Sequence, residues 1–129
     1  MVITLWQDKE NRKLDPTLFS KKAEELAREI GHDGGNNENK STQLRRYFDE
    51  VVRLDTQAKA KGADMNLILS QVHMLVAKVA YANGRKLVTP SFVEMMKSGI
   101  NQINDRDDLR VFANFLEAFM GFYKMYRPR

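Results

Sequence analysis

Few side chains in this sequence are of types that do chemistry, and most of those are basic. There is no cysteine, which removes disulfides, thiolate zinc sites and a cysteine nucleophile together. The two histidines, His32 and His73, lie far apart, and neither has a second histidine or a carboxylate at ligand spacing. A metal site needs several converging ligands, so both are expected in structural roles. The run DRDD from Asp105 to Asp108 has the composition of a Mg²⁺ site, but its acids are contiguous and carboxylates are favoured at a helix start in any case. A phosphate loop, a dinucleotide glycine fingerprint and an HExxH helix are all missing. No catalytic residue, metal or cofactor is assigned.

What remains is phosphate recognition by cations. In KSTQLRRYFDEVVRL, residues 40–54, the apolar positions Leu44, Tyr47, Phe48, Val51, Leu54 and then Ala58 recur at steps of three and four, the spacing of one buried helical face. Arg45, Arg46 and Arg53 must be explained by what lies off that face. Arg45 and Arg46 each have an acid four residues on, Asp49 and Glu50, yet exposed pairs in this basic-first order contribute only a few tenths of a kcal/mol. On a helical wheel Arg46 and Arg53 project from one side, and Arg45 sits at the border of the buried stripe. A second line of this kind runs along the third helix, where Gln71 and Lys78 are a heptad apart and Arg85 continues the row. Lys78, Arg85 and Lys86 then form a compact positive site of the kind that binds phosphates in any sequence. The alternative is a solvated helix end whose basic groups favour the negative end of the dipole.

The elements that position these residues are helices. Asp15 with Pro16 predicts a first helix, with Phe19, Ala23, Leu26, Ala27 and Ile30 as its stripe and Gly31 as its stop. The stretch GHDGGNNENK, residues 31–40, has no apolar residue and reads as an exposed, flexible loop. A second helix is expected from Ser41 or Thr42 to about Lys61, ended by Gly62. Asp64 caps a third, so apolar around its wheel that it is expected in the middle of the bundle. Asn83 and Gly84 end it. Thr89 and Pro90 open a fourth helix with Val93, Met96, Ile100 and Ile103 buried, and a fifth starts near Asp105 with Leu109, Phe112, Leu116, Phe119, Tyr123 and Tyr126 on its face. The fold class is all-α: a compact five-helix bundle forming one domain over residues 1–129, with an N-terminal arm over 1–14.

At 129 residues such a domain buries about two thirds of its unfolded surface, enough for a core without staples. The methionines and the aromatic residues of the second and fifth helices are expected to fill that core, and Trp6 to pack the arm against the bundle. The excess of 21 Lys and Arg over 17 Asp and Glu gives a formal charge of +4, which permits a nucleic-acid partner without requiring one. After Asp108 the only acid is Glu117, against Arg110, Lys124, Arg127 and Arg129, so the C-terminal end is locally positive. The opening MVITLWQDKENRK acquires charge too soon for a signal peptide, and no apolar stretch spans a bilayer. A cytoplasmic protein with no membrane contact is the expectation.

Three stretches, STQLRRYFDEV, LVAKVAYANGR and INDRDDLRVFANFLEAFMGFYKMY, resemble in this order and at these separations the small subunit of type III-A CRISPR effector complexes, the Csm small-subunit family. The resemblance covers roughly residues 16–126. It implies a non-catalytic helical subunit in antiviral defence, stacked with other copies of itself along guide RNA and target RNA, beside the backbone and large subunits of the complex. Arg45 and Arg85 fall on the family's recurring arginine positions and would face RNA phosphates; Arg46, Arg53, Lys78 and Lys86 are candidates mainly by adjacency. Guide pairing would supply sequence recognition and leave shape and charge to the protein. Two other readings are a helical DNA-binding regulator, which needs a short exposed basic helix after a tight turn, and an adaptor that binds only protein.

Overall fold

The computed structural model describes residues 2–127, and Arg129 lies outside them. Five α-helices follow one another: α1 Ala23–His32, α2 Ser41–Ala58, α3 Met65–Gly84, α4 Pro90–Ile100 and α5 Arg106–Tyr126, with a single turn of π-helix, Leu18–Lys22, leading into α1. Among the described residues there is no strand, only an isolated bridge between Asp8 and Lys13.

The first helix begins later than its Asp-Pro signal suggests. The Asp15 carboxylate accepts hydrogen bonds from both the backbone N–H and the hydroxyl of Thr17, each at 2.8 Å, so it closes a local turn instead of capping a helix. The wide turn that follows puts Leu18 in the core and leaves Phe19 half-buried. Gly31 is not the stop either. It lies inside α1, where a Cβ would stand 3.2 Å from the Cβ of Tyr126; its missing side chain lets α1 approach α5.

α5, not α3, is the central helix. It packs along α1 and α2, and Leu109, Phe112, Phe115, Leu116, Phe119 and Tyr123 are buried around much of its circumference. α3 packs between α2 and α4 through Ile68, Val72, Leu75, Val79 and Ala82, and leaves Leu67, Met74 and Tyr81 exposed at 55%, 56% and 68%. Its apolar composition measured how much of the helix avoids water, not how many neighbours were available to cover it. In α4 the buried face is Phe92, Met95, Met96, Gly99 and Ile100. Phe92, whose ring lies 5.9 Å from that of Tyr47, displaces the smaller Val93 to the half-buried margin.

The segment after α1 is exposed only in part. Residues 34–37 face solvent, whereas Asn39 is fully buried at φ +57°. Its N–H donates to Leu87 O at 3.0 Å, and its amide nitrogen donates to Ile30 O at 3.2 Å and Thr89 Oγ1 at 2.7 Å. Its amide oxygen accepts from Thr89 N–H at 2.9 Å, and its backbone carbonyl accepts from Tyr123 Oη at 2.5 Å. One residue thus ties three elements together, its side chain joining α1 to the α3–α4 connection and its backbone carbonyl reaching α5. The Arg127 guanidinium adds a strap, donating to the carbonyls of Gly31, Gly35, Asn36 and Glu38.

The arm packs onto the bundle as Trp6 suggested. Ile3 and Leu5 alternate into the core, while Gln102 stands in for a neighbouring strand: its Nε2 donates to Ile3 O at 2.7 Å and its Oε1 accepts from Leu5 N–H at 2.9 Å. The acids that open α5 complete the dock. Asp105 caps the helix by accepting from Asp108 N–H at 2.9 Å. Asp107 pairs with Arg12 at 2.9 Å. Asp108, with no exposed surface, accepts from Trp6 Nε1, Lys9 Nζ and Asn104 N–H, all at 2.8 Å. Burial alone pushes that carboxyl upward, but these donors together outweigh it and hold the group below its usual range.

Candidate nucleic-acid interface

α2 and α3 are joined by the short connection over residues 59–64 and run antiparallel beside one another. That arrangement brings the start of α2 opposite the end of α3. Arg46 on one helix therefore meets Lys78 and Arg85 on the other, across a groove of about 450 Å³ floored by Ala77, Ala82 and Leu87. Its volume is in the range of small-ligand clefts, about 300–1,000 Å³. No acid lines the groove, and α3 contains no Asp or Glu at all. All three cations are exposed.

The groove edges are fixed from below. Tyr47 is buried, and its hydroxyl accepts from Gln43 Nε2 at 2.9 Å, which anchors the helix face beside Arg46. At the other edge α3 ends in a Schellman motif: Leu87 N–H donates to Ala82 O at 2.9 Å and Lys86 N–H to Asn83 O at 2.9 Å. Lys86 occupies the left-handed position at φ +62°, two residues later than Gly84, the glycine expected to stop the helix. This turn sets where Arg85 leaves the helix. Lys86 itself does not line the groove.

The six basic residues singled out in the sequence are thus not one cluster. Arg46, Lys78 and Arg85 converge. Arg53 lies further along the same seam, with Nη2 3.5 Å from Gln71 Oε1, but its guanidinium is paired with Glu50. Arg45 turns to the other flank of α2, where it shares a groove with Phe48, Glu117, Met120 and Lys124. Its distance to Asp49 is 3.9 Å, a loose pair. The C-terminal positive end is largely occupied: Arg110 reaches Asp55 at 3.4 Å and Arg127 holds the loop carbonyls, leaving Lys124 beside Arg45.

The histidines have structural surroundings. His73 hydrogen-bonds Ile103 O at 2.9 Å; His32 lies in the last turn of α1, not in the loop, with its ring edge-on to Tyr126 at 6.0 Å. Among the described residues no group of three or more His, Cys, Asp or Glu is placed to hold a metal ion, and no helix is long and apolar enough to cross a membrane.

Tyr81 is the groove residue that sequence reasoning missed. It lies at the groove edge with the Arg85 guanidinium carbon 5.9 Å from its ring centroid. The signal was present: Leu67, Met74 and Tyr81 form a heptad line beside the polar line of Gln71, Lys78 and Arg85, and a one-sided core cannot bury both.

The family model described as Csm2 Type III-A matches residues 13–129. This chain belongs to that family. Membership makes it a small subunit of a type III-A CRISPR complex. The matched span contains all five helices and all six candidate cations, and it starts after the part of the arm that carries Trp6, Lys9 and Arg12. No curated protein and no solved structure matches the chain.

Proposed function

We propose that this family member is a non-catalytic RNA-backbone-binding subunit that engages RNA through the α2–α3 groove. The observation that carries the reading is the convergence of Arg46, Lys78 and Arg85 on one acid-free groove. Three exposed cations around an open groove suit phosphates and carry no base-reading code. An RNA-guided complex needs no such code from its small subunit, because guide pairing reads the sequence. Arg53 extends the contact along the seam, and Arg45 with Lys124 supplies a second, weaker one across α2, where Glu117 opposes phosphate. Within the complex the subunit stands beside the backbone and large subunits and other copies of itself, as family membership suggests. The non-catalytic role is supported by the acids of the DRDD run, which are all held by the arm or by the helix start.

A DNA-reading regulator is disfavoured by the same geometry. The cations flank a seam between two long helices that both contribute to the core, whereas a recognition helix must protrude into a major groove. Filter binding of the purified chain to single-stranded RNA, duplex RNA and duplex DNA at two salt concentrations tests the proposal. RNA binding that varies little with sequence and falls steeply with salt is expected. A preference for one duplex DNA sequence, or no binding to any RNA at low salt, overturns it.

A further inference from the structure

Tyr81 is a large aromatic side chain left 68% exposed at the edge of a cationic groove. Its neighbours in the groove are Arg46, Lys78 and Arg85, with the Arg85 guanidinium over its ring at 5.9 Å. An exposed aromatic ring within reach of several exposed cations has the two parts of a single-strand nucleotide site: a platform for the base and charges for the flanking phosphates. We infer that Tyr81 is a stacking platform for one unpaired RNA base, with Arg46, Lys78 and Arg85 holding the adjoining phosphates. This rests on the RNA-binding reading of the groove and adds to it a preference for an unpaired nucleotide over a continuous duplex.

The other aromatic candidates fit such a role less well. Tyr47 is buried and its hydroxyl is engaged by Gln43. Phe48 has a guanidinium at a similar distance, Arg45 at 5.9 Å, but it is packed against the core and its groove contains Glu117, which repels a phosphate. Leu67 and Met74 continue the exposed line of Tyr81 along α3, yet neither lines the cationic groove. Tyr81 is therefore the place where exposed aromatic surface and acid-free positive charge coincide. Stacking on a tyrosine tolerates any base, so the site discriminates strandedness without reading sequence.

The test uses the full chain, its Tyr81→Ala and Tyr81→Phe variants, and two probes: a single-stranded oligouridine carrying one 2-aminopurine, and a blunt RNA duplex. Tyr81→Ala is expected to weaken the single strand about tenfold while changing duplex affinity less than about twofold. The salt slope should stay the same, since no charge is removed. Quenching of 2-aminopurine on binding should appear with wild type and Tyr81→Phe and vanish with Tyr81→Ala. Equal losses on both probes, or no loss on the single strand, overturn the inference. So does a Tyr81→Ala variant that keeps wild-type affinity but changes its sedimentation, which would put the ring in a contact between copies. If Arg46→Ala and Lys78→Ala flatten the salt slope while Tyr81→Ala does nothing, only the stacking inference fails. If neither charge variant alters RNA binding, the groove reading itself fails.

Discussion

Asn39 shows how much one buried polar residue can hold in an all-helical protein. It is buried in a left-handed conformation that asparagine tolerates better than most residues, and all its amide and backbone polar groups are engaged. Asn39→Ala leaves Thr89 N–H and Ile30 O without that partner, and we expect a loss of about 2–4 kcal/mol in urea unfolding. The residue was illegible in the sequence because it sits in a run of glycine and asparagine, and its partners at Leu87, Thr89 and Tyr123 are distant in the chain. Tyr123 gives the same site a pH signature. Burial pushes its phenol up to about 12 from an ordinary 10.0, so the neutral form that donates to Asn39 is the one the fold favours. That stabilisation is fully present below pH 10 and is lost as pH rises to about 12. Unfolding midpoints followed by circular dichroism should fall across that window in wild type and less in Tyr123→Phe. Lys86, by contrast, occupies a position suited to glycine, and Lys86→Gly should raise stability by up to about 1 kcal/mol without weakening RNA binding.

At the scale of elements, helix existence was legible and helix placement was not. Period, caps and breakers located all five helices; Asp64 caps where the sequence put it, accepting from Leu67 N–H, and the fifth helix starts near Asp105 as expected, with Asp105 accepting from Asp108 N–H. Three features departed from the sequence pattern, the first through a local contact and the other two through long-range packing. Asp15 was drawn into a turn by Thr17, Gly31 became a crossing point with α5, and the most apolar helix ended at the side of the bundle. Gly99 is another such point: a Cβ there would lie 2.8 Å from Phe112 Cδ1 and 2.9 Å from Ile3 Cδ1. Gly99→Ala should cost about 1–3 kcal/mol by overpacking, and the arm should loosen with it. The arm carries its own reporter, since Trp6 is the one tryptophan of the chain. Asp108 sits below its ordinary 3.8 because Lys9, Asn104 and Trp6 overcome the opposing effect of burial. Its stabilisation is therefore present above pH 3.8 and lost as pH falls below it. Trp6 fluorescence should shift to the red in that acidic range, and Asp108→Asn should shift it at neutral pH.

The whole molecule distributes its modest net charge unevenly, and the proposed function rests on that distribution. Lys9 and Arg12 hold the acids of α5, Arg110 holds Asp55, and Arg127 holds the loop. The α2–α3 seam keeps Arg46, Lys78 and Arg85 exposed with no acid in their groove. Helical periodicity alone aligned Arg46 with Arg53 and Lys78 with Arg85, so half of this arrangement was legible. Which flank of α2 each arginine would take was not, because it depends on where α3 and α5 pack. The most direct test is the slope of log affinity against log salt for wild type, Arg46→Ala, Lys78→Ala, Arg85→Ala and the α1 control Arg28→Ala, measured on two unrelated single-stranded RNAs of equal length. Each groove variant should flatten the slope by roughly 0.7 to 1, alike on both RNAs, with Arg28→Ala unchanged. Groove variants that leave the slope untouched while Arg45→Ala and Lys124→Ala flatten it would place the RNA on the α2–α5 flank and contradict the account.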